Sequence, residues 1–477
     1  MSAEDFINNS EVYSILSRYN PWWNSQNISI PSVKRSVFQE IKKWILNPPT
    51  ERAIVISGAR QVGKTTLIQQ IIYDLINKDG INPDSILYVT FDHPILKIIG
   101  ADKIIERWKE IKNHTDSEIE YIFFDEIQYT EHWQTWLKHQ VDFNKNRRIV
   151  VTGSAIPIDA AGTESGVGRW HTITLPTLSF YEFLQIKKVS IPDISNIALF
   201  EGLFKLSSHD ASRLIEISKI LVPYFNEYLL KGGFPKIGQI ESIELAQQLL
   251  REDIIDKVLK RDMTSIFGVR HVFELEKLFL YLCMHDGGIA EVTSIASILG
   301  LAKQTVLNFI GILECSHLLY KLRPFGNGKE VLKGRSKLYL ADPAISGSVL
   351  LNGKSLLQDR VKLGAAVESA FFKHIFSGIS KVTSDFYYWQ GKSQHEVDII
   401  CRIGESLNAF EVKYSSKYVS KDSLKGLFEC IDRFGLEGAY LITGNAQDFG
   451  IMETNSKVKI FRVPVFLACY LLGITQR

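Results

Sequence analysis

The sequence predicts an α/β protein of several domains, with a parallel-sheet core followed by a helical stretch and a second mixed α and β region. Three observations carry this. Between about residues 50 and 180, short β-rich runs alternate with amphipathic helical stretches, as in a parallel sheet covered by helices. A Gly-x-x-x-x-Gly-Lys-Thr segment lies between the first of those runs and a helical pattern. From about residue 360, strand-like runs carrying acidic residues return after a long helical stretch.

Length and composition bound the rest. The chain has 477 residues, and single cores rarely grow beyond ~250–300 residues, so about three domains are expected. With 45% hydrophobic and 23% charged residues, a long disordered tail, a collagen repeat or a coiled-coil rod is excluded. Lys+Arg number 55 against 53 Asp+Glu, a net charge of +2, so any nucleic-acid surface must be a local patch. The 5 cysteines are widely spaced and never form Cys-x-x-Cys. They suit neither a disulfide framework nor a zinc site, and a cytoplasmic location is expected. The start of the chain has neither a basic nor an apolar stretch of signal-peptide type. The longest apolar run, Val463 to Ile474, is interrupted by Pro464. It is shorter than the ~18–20 residues of a membrane span, so it reads as a buried closing strand and helix, and no membrane partner is expected.

The core runs are Ala53–Ser57, Ile86–Phe91, Tyr121–Phe124, Arg148–Thr152 and His171–Leu175. After the first come Gly58-Ala59-Arg60-Gln61-Val62-Gly63-Lys64-Thr65-Thr66. Gly58 and Gly63 let backbone amides face a phosphate, and the following helix adds the positive end of its dipole. Lys64 is suited to the β- and γ-phosphates of ATP, and the Thr65 hydroxyl to Mg²⁺.

The second half of such a site is an acid at the end of a buried strand. Tyr121–Phe124 is bulky and apolar, and Asp125-Glu126 follow it. Asp125 is expected to hold Mg²⁺ through water, and Glu126 to orient and deprotonate the attacking water. The next run ends in Thr152-Gly153-Ser154. Ser154, with Thr152 as second choice, can reach the γ-phosphate or the water; a serine that only satisfies its loop is the alternative. Arg169 closes a glycine-rich loop before the last core strand, where an arginine can stabilise transition-state charge in a neighbouring subunit. The alternative is an arginine that caps or solvates the loop.

Taken together, these segments resemble one AAA+ ATPase family of archaea and bacteria. They are Gly58–Thr66, Phe123–Gln128, Thr152–Ala155, Gly168-Arg169, Leu178–Leu184, Lys231-Gly232-Gly233-Phe234-Pro235 and Asn20-Pro21-Trp22-Trp23. The resemblance covers nearly the whole chain. It implies an AAA+ core with an N-terminal helical segment over 1–190, a helical lid over 191–266, a winged helix-turn-helix over 267–345, and a restriction-endonuclease-like domain over 346–477. It also implies a homo-oligomer, a hexamer in related rings. Trp22 and Trp23 either wall an adenine pocket or staple the N-terminal helix to the core.

Val292–Val306 reads as two helices about a tight turn. Small Ala296 marks a close crossing, Gly300 a positive-φ turn, and Val306 a core anchor, which is the spacing of a DNA-binding helix-turn-helix. Lys303, Gln304, Thr305 and Asn308 are expected to face outward. Two β runs follow, with Lys329, Lys333 and Arg335 between them as a basic wing tip suited to phosphate. Packing or protein contact is the alternative.

In the C-terminal region, Glu368 lies on a helical pattern, Asp398 in a strand, and Glu411-Val412-Lys413 in the next strand. Glu411 and Lys413 share a strand face, and Asp398 can lie beside Glu411. This resembles the metal-dependent Asp…Glu-x-Lys nuclease set, with Asp398 and Glu411 holding Mg²⁺, Lys413 handling the attacking water and Glu368 completing the acidic edge. An ion pair along the strand face is the plain alternative. The functional expectation is an ATP-driven machine acting on DNA, with cleavage open. The alternative is a nucleotide-dependent switch that binds a protein partner and regulates an inactive or controlled effector domain.

Overall fold

A computed structural model describes residues 8–26, 29–114, 118–154, 168–192, 194, 200–326, 331, 334–379, 384–391, 395–414, 421–453 and 458–475. The chain divides into two compact units, Met1–Leu175 and Pro176–Arg477.

The first unit is built on a five-stranded sheet. Its strands are β1 (Ala53–Ser57), β2 (Ile86–Thr90), β3 (Glu120–Asp125), β4 (Arg147–Gly153) and β5 (Trp170–Thr174), in the spatial order β2-β3-β4-β1-β5. Every pairing is parallel. Parallel strands need crossovers, and the resulting cover buries both faces; all residues of β1 and β3 are buried. Because β4 separates β1 from β3, the loop after β1 and the acids after β3 open on the same sheet edge, one strand apart.

The N-terminal segment closes the β2 edge. Asn20 is fully buried, accepts from the Tyr88 backbone N–H at 2.7 Å, and donates to the Tyr88 carbonyl at 2.8 Å. One amide side chain thus imitates a neighbouring strand. The indoles of Trp22 and Trp23 both donate to the Ile86 carbonyl, at 3.4 and 3.0 Å. They therefore staple the N-terminal helix (Asn9–Tyr19) to the starting end of β2, the sheet end opposite Gly58–Thr66.

The second unit holds a nine-stranded mixed sheet. Its strands are β6 (Gly288–Ala290), β7 (Leu319–Pro324), β8 (Ser336–Leu340), β9 (Ser384–Gln390), β10 (Glu396–Ile403), β11 (Ser406–Lys413), β12 (Gly438–Thr443), β13 (Gly450–Met452) and β14 (Ile460–Pro464). The order is β13-β14-β12-β11-β10-β9-β7-β8-β6. The strands after the two-helix turn and those of the C-terminal region thus share one sheet, joined where β7 runs parallel to β9. The helix Val465–Thr475 is buried along nearly its whole length, and with β14 it forms the closing strand and helix expected from the apolar run. No single described helix is long and apolar enough to cross a membrane.

A buried polar node ties several sequence motifs together. Lys373 and Asp342 are paired at 3.2 Å with side chains 1% and 0% exposed. Asp342 also accepts from Thr177 Oγ1 at 2.7 Å and from the Gly233 N–H at 2.8 Å. Lys373 donates to the Leu178 carbonyl at 2.8 Å and to the Tyr228 hydroxyl at 2.5 Å. Gly232 ends the helix Ser208–Lys231 at φ 76, and a Cβ there would meet Asp342 at 2.1 Å. The Lys231–Pro235 and Leu178–Leu184 segments converge here because a buried ion pair needs every remaining donor and acceptor satisfied.

Candidate functional site

The phosphate-loop sequence forms the turn between β1 and the helix Lys64–Asn77. Gly63 caps that helix at φ 99, a conformation that favours glycine. Gly58 is needed for a different reason: a Cβ there would meet the Leu175 carbonyl oxygen at 2.3 Å. Lys64 is buried and reaches back across the loop, donating to the carbonyls of Gly58 at 2.9 Å and Ala59 at 3.0 Å. The loop thus stands preformed, with its ammonium held over it.

Asp125 ends β3, buried, and three hydroxyls converge on it. Thr65 Oγ1 donates to Oδ2 at 2.6 Å and Tyr88 to the same oxygen at 2.9 Å. Thr152 donates to Oδ1. Burial pushes the Asp125 carboxyl above the ordinary range, as does Glu126 beside it, against the pull of Thr152 and Thr65. A cation at this place would relieve that repulsion. The paired hydroxyl and carboxylate oxygens of Thr65 and Asp125 are the hard donors that Mg²⁺ takes alongside water and phosphate, so these residues fit that ion.

Glu126 follows at φ 54, left-handed backbone of the kind stored at functional sites. Its N–H donates to Thr152 Oγ1 at 3.2 Å. Its carboxylate accepts from Ser154 Oγ at 3.1 Å and from Gln128. Burial would raise this carboxyl, but Lys64 and the bonds from Gln128 and Ser154 bring it below the ordinary glutamate range. Ser154 therefore acts on Glu126 in this arrangement, and Thr152 links both acids. Tyr88 and Gln128 are partners that the sequence motifs do not single out. The available signal is a tyrosine inside the apolar run of β2 and the glutamine closing Phe-Phe-Asp-Glu-Ile-Gln.

Arg169 lies elsewhere. It precedes β5, its carbonyl accepts from the Ala53 N–H at 3.0 Å, and its Nε pairs with Asp142 at 3.1 Å. That is the opposite end of β1 from Gly58, so Arg169 is not brought to its own phosphate loop. Residues 155–167, including most of the glycine-rich loop, fall outside the described residues.

In the second unit, the helices Val292–Leu299 and Lys303–Cys315 meet at 106°. Gly300 takes φ 67 between them, and Val306 is fully buried. Lys303, Gln304 and Asn308 are exposed and Thr305 is half-buried; Gln304 donates to Asn308 at 2.9 Å. Arg335 is exposed and pairs with Glu291 at 3.0 Å. Lys329 and Lys333 lie outside the described residues.

The C-terminal acids do meet. Asp398 and Glu411 flank the Ile399–Phe410 pair of the β10–β11 ladder, and Asp398 Oδ2 accepts from the Val412 N–H at 2.8 Å. Lys413 pairs with Glu411 at 2.5 Å, the ion pair along a strand face. What the sequence did not reveal is Lys337 of β8. Its ammonium lies 2.7 Å from Glu368, 2.6 Å from Glu396 and 3.0 Å from Asp398. Burial opposes charge on Lys337, but Glu368, Asp398 and Glu396 hold it well above the ordinary lysine range. Burial, and then Asp398, push Glu411 up to about 8. With an ammonium at the convergence of these oxygens, the set does not fit a metal ion. Among the described residues no group of three or more His, Cys, Asp or Glu is arranged to hold one.

Comparison with known proteins agrees with the first unit. Residues 50–184 match the AAA domain. Residues 222–356 and 363–465 match two domains of unknown function, DUF8612 and DUF4143. The uncharacterized protein MJ1637 of Methanocaldococcus jannaschii is 27% identical over 387 residues, covering 79% of this chain and 78% of that protein. An uncharacterized protein of Haemophilus influenzae is 26% identical over 296 residues, covering 60% of this chain and 66% of the relative. Among solved structures, the Aeropyrum pernix Orc1 protein in complex with DNA aligns at TM-score 0.31 and 12% identity, over 72% of this chain and 96% of that one. AMPPCP-bound DnaA from Aquifex aeolicus aligns at 0.25 and 16%, over 60% and 97%. The chain therefore carries an AAA domain over residues 50–184, on a parallel five-stranded sheet.

Proposed function

We propose that this chain is an ATP-hydrolysing AAA+ machine that acts on DNA. The observation that carries the ATPase reading is the linked pair of acids at the end of β3: Asp125 tied to Thr65, and Glu126 tied to Ser154 and Gln128. The amides of Gly58–Thr66 and the Lys64 ammonium bind the phosphates. Thr65 and Asp125 would hold Mg²⁺, which would supply neutralising charge to the phosphates. Glu126, kept below the ordinary carboxylate range, is ionised at neutral pH. It takes the proton from a water that Ser154 and Gln128 help to orient. Arg169, distant from its own loop, acts in trans on a neighbour's γ-phosphate, which requires a homo-oligomer.

DNA is engaged by the winged helix-turn-helix, through Lys303, Gln304, Thr305 and Asn308 at the start of its second helix and Arg335 beside it. The exposure of Lys303, Gln304 and Asn308 supports this. Lys337 within the acidic pocket favours a C-terminal effector that is inactive or controlled, so no cleavage step is assigned to it. The same observation supports a second reading, a nucleotide-dependent switch that binds a protein partner.

The test is ATP turnover by the purified chain with and without duplex, single-stranded and branched DNA, with Glu126→Gln as background. Turnover that depends on Glu126 and rises several-fold with DNA supports the machine. Turnover indifferent to every nucleic acid rejects it in favour of the switch. No turnover above the Glu126→Gln background rejects the ATPase.

A further inference from the structure

We propose that Lys337 is the resident cation of the C-terminal acidic pocket, and that while its ammonium is in place the pocket takes no divalent metal. The pocket has a volume of about 380 Å³, and Glu368, Glu396, Asp398 and Glu411 line it together with Lys337 and Lys413. Carboxylates converging from a helix and two adjacent strands are hard oxygen donors of the kind that hold Mg²⁺. Here the converging oxygens already have a cation.

Its origin explains why. Lys337 belongs to β8, and β10, which carries Asp398, lies three strands away in the sheet order. Three steps of ~4.8 Å across a flat sheet put the two strands ~14 Å apart, beyond a lysine side chain. The Lys337 ammonium nevertheless lies 3.0 Å from Asp398, so the two strands are closer here than in a flat sheet. An ammonium has three donors, and three carboxylates surround this one at 2.6–3.0 Å. Its side chain is 4% exposed.

Mg²⁺ needs near-octahedral oxygens at ~2.0–2.1 Å and usually keeps several waters. Glu368 and Asp398 cannot close to that distance on a metal while the Lys337 nitrogen lies between them. Two cations at one point also repel, and the low dielectric of a buried site strengthens that repulsion. A second ammonium, that of Lys413, lies 2.5 Å from Glu411. One acidic oxygen, Glu411 Oε2, is buried without a hydrogen-bond partner, and a single oxygen does not make a site for a hard cation. Tyr339 fixes the arrangement further, donating to Glu368 at 2.7 Å.

The inference is independent of the ATPase reading and is tested without nucleotide. The full chain is titrated with Mn²⁺ and bound ions are counted by electron paramagnetic resonance, in wild type, Asp398→Asn, Lys337→Met and the Lys337→Met/Asp398→Asn double variant. Melting temperatures are recorded with and without Mn²⁺. Wild type and Asp398→Asn are expected to bind alike. Lys337→Met is expected to gain one site, at least about tenfold tighter than anything in wild type, which the double variant loses. Mn²⁺ should raise the melting transition of the second unit in Lys337→Met and leave that transition unmoved in wild type. A wild-type Mn²⁺ site that disappears in Asp398→Asn overturns the proposal, as does a folded Lys337→Met that binds no Mn²⁺. If Lys337→Met does not fold, Lys337→Gln takes its place, and the comparison of wild type with Asp398→Asn decides in either case.

Discussion

The phenol of Tyr88 donates a 2.9 Å hydrogen bond to Oδ2 of Asp125, the same oxygen that accepts from Thr65. A buried carboxylate is costly unless donors surround it, and here one donor comes from the neighbouring strand and one from the phosphate loop. Tyr88→Phe removes the first and keeps the ring. The expected outcome is a loss of about 1–3 kcal/mol in stability and a further rise of the Asp125 carboxyl. Thermal denaturation reads the first effect, and an upward shift of the acidic limb of the pH–rate profile reads the second.

Asn20 and the edge strand give a separate prediction. Asn20→Ala orphans the Tyr88 N–H and carbonyl, both buried, at about 1–3 kcal/mol for each group left unpaired. Trp23→Phe removes one indole bond to Ile86 and should cost about 0.5–1.5 kcal/mol. Because these contacts lie at the sheet end opposite the phosphate loop, both variants should lower the melting temperature of the first unit and leave nucleotide affinity unchanged once folded. A fluorescent-nucleotide titration beside the melting curve checks this. A large loss of affinity in folded Trp23→Phe would restore the adenine-wall assignment.

The acidic pocket predicts a pH dependence. Folded Glu411 is pushed up to about 8, above its ordinary range in the unfolded chain. A raised value favours the protonated form in the fold. The stability it contributes is therefore fully present below the unfolded value and is lost as pH rises through about 8. Glu411→Gln, which mimics the protonated form, should melt close to wild type in mild acid and above it in mild alkali. Parallel melting curves across that range test it; a constant difference would reject the shift.

Asp342 is the hub of the second unit. Asp342→Ala removes the carboxylate that balances the buried Lys373 ammonium and is expected to cost about 3–5 kcal/mol. Since the two units are separately compact, calorimetry should show the transition of the second unit moving down and that of the first staying in place.

Much of the nucleotide site is legible in the sequence. The turn around Gly58 and Gly63, the helix opening at Lys64, and the acids closing β3 are set by local rules: a strand–turn–helix with prescribed backbone angles, and an apolar run that ends in charge. The turn at Gly300 is legible for the same reason. The contacts that tune these residues are not. Tyr88 reaches Asp125 across 37 residues, and Ser154 reaches Glu126 across 28. No periodicity in the chain encodes which side chains such distances bring together.

Lys337 marks the limit most clearly. In the sequence it opens a β run next to Arg335, and its alternation with Ser336 and Leu338 says only that it faces one side of a strand. The sequence by itself determined that Glu368, Asp398 and Glu411 would lie on a helix and two neighbouring strands. Only the tertiary structure decided that Glu368 and Asp398 meet Lys337. That choice depends on how β8 and β10, three places apart in the sheet order, approach one another, and such an approach is a summed property of twist and packing across many strands.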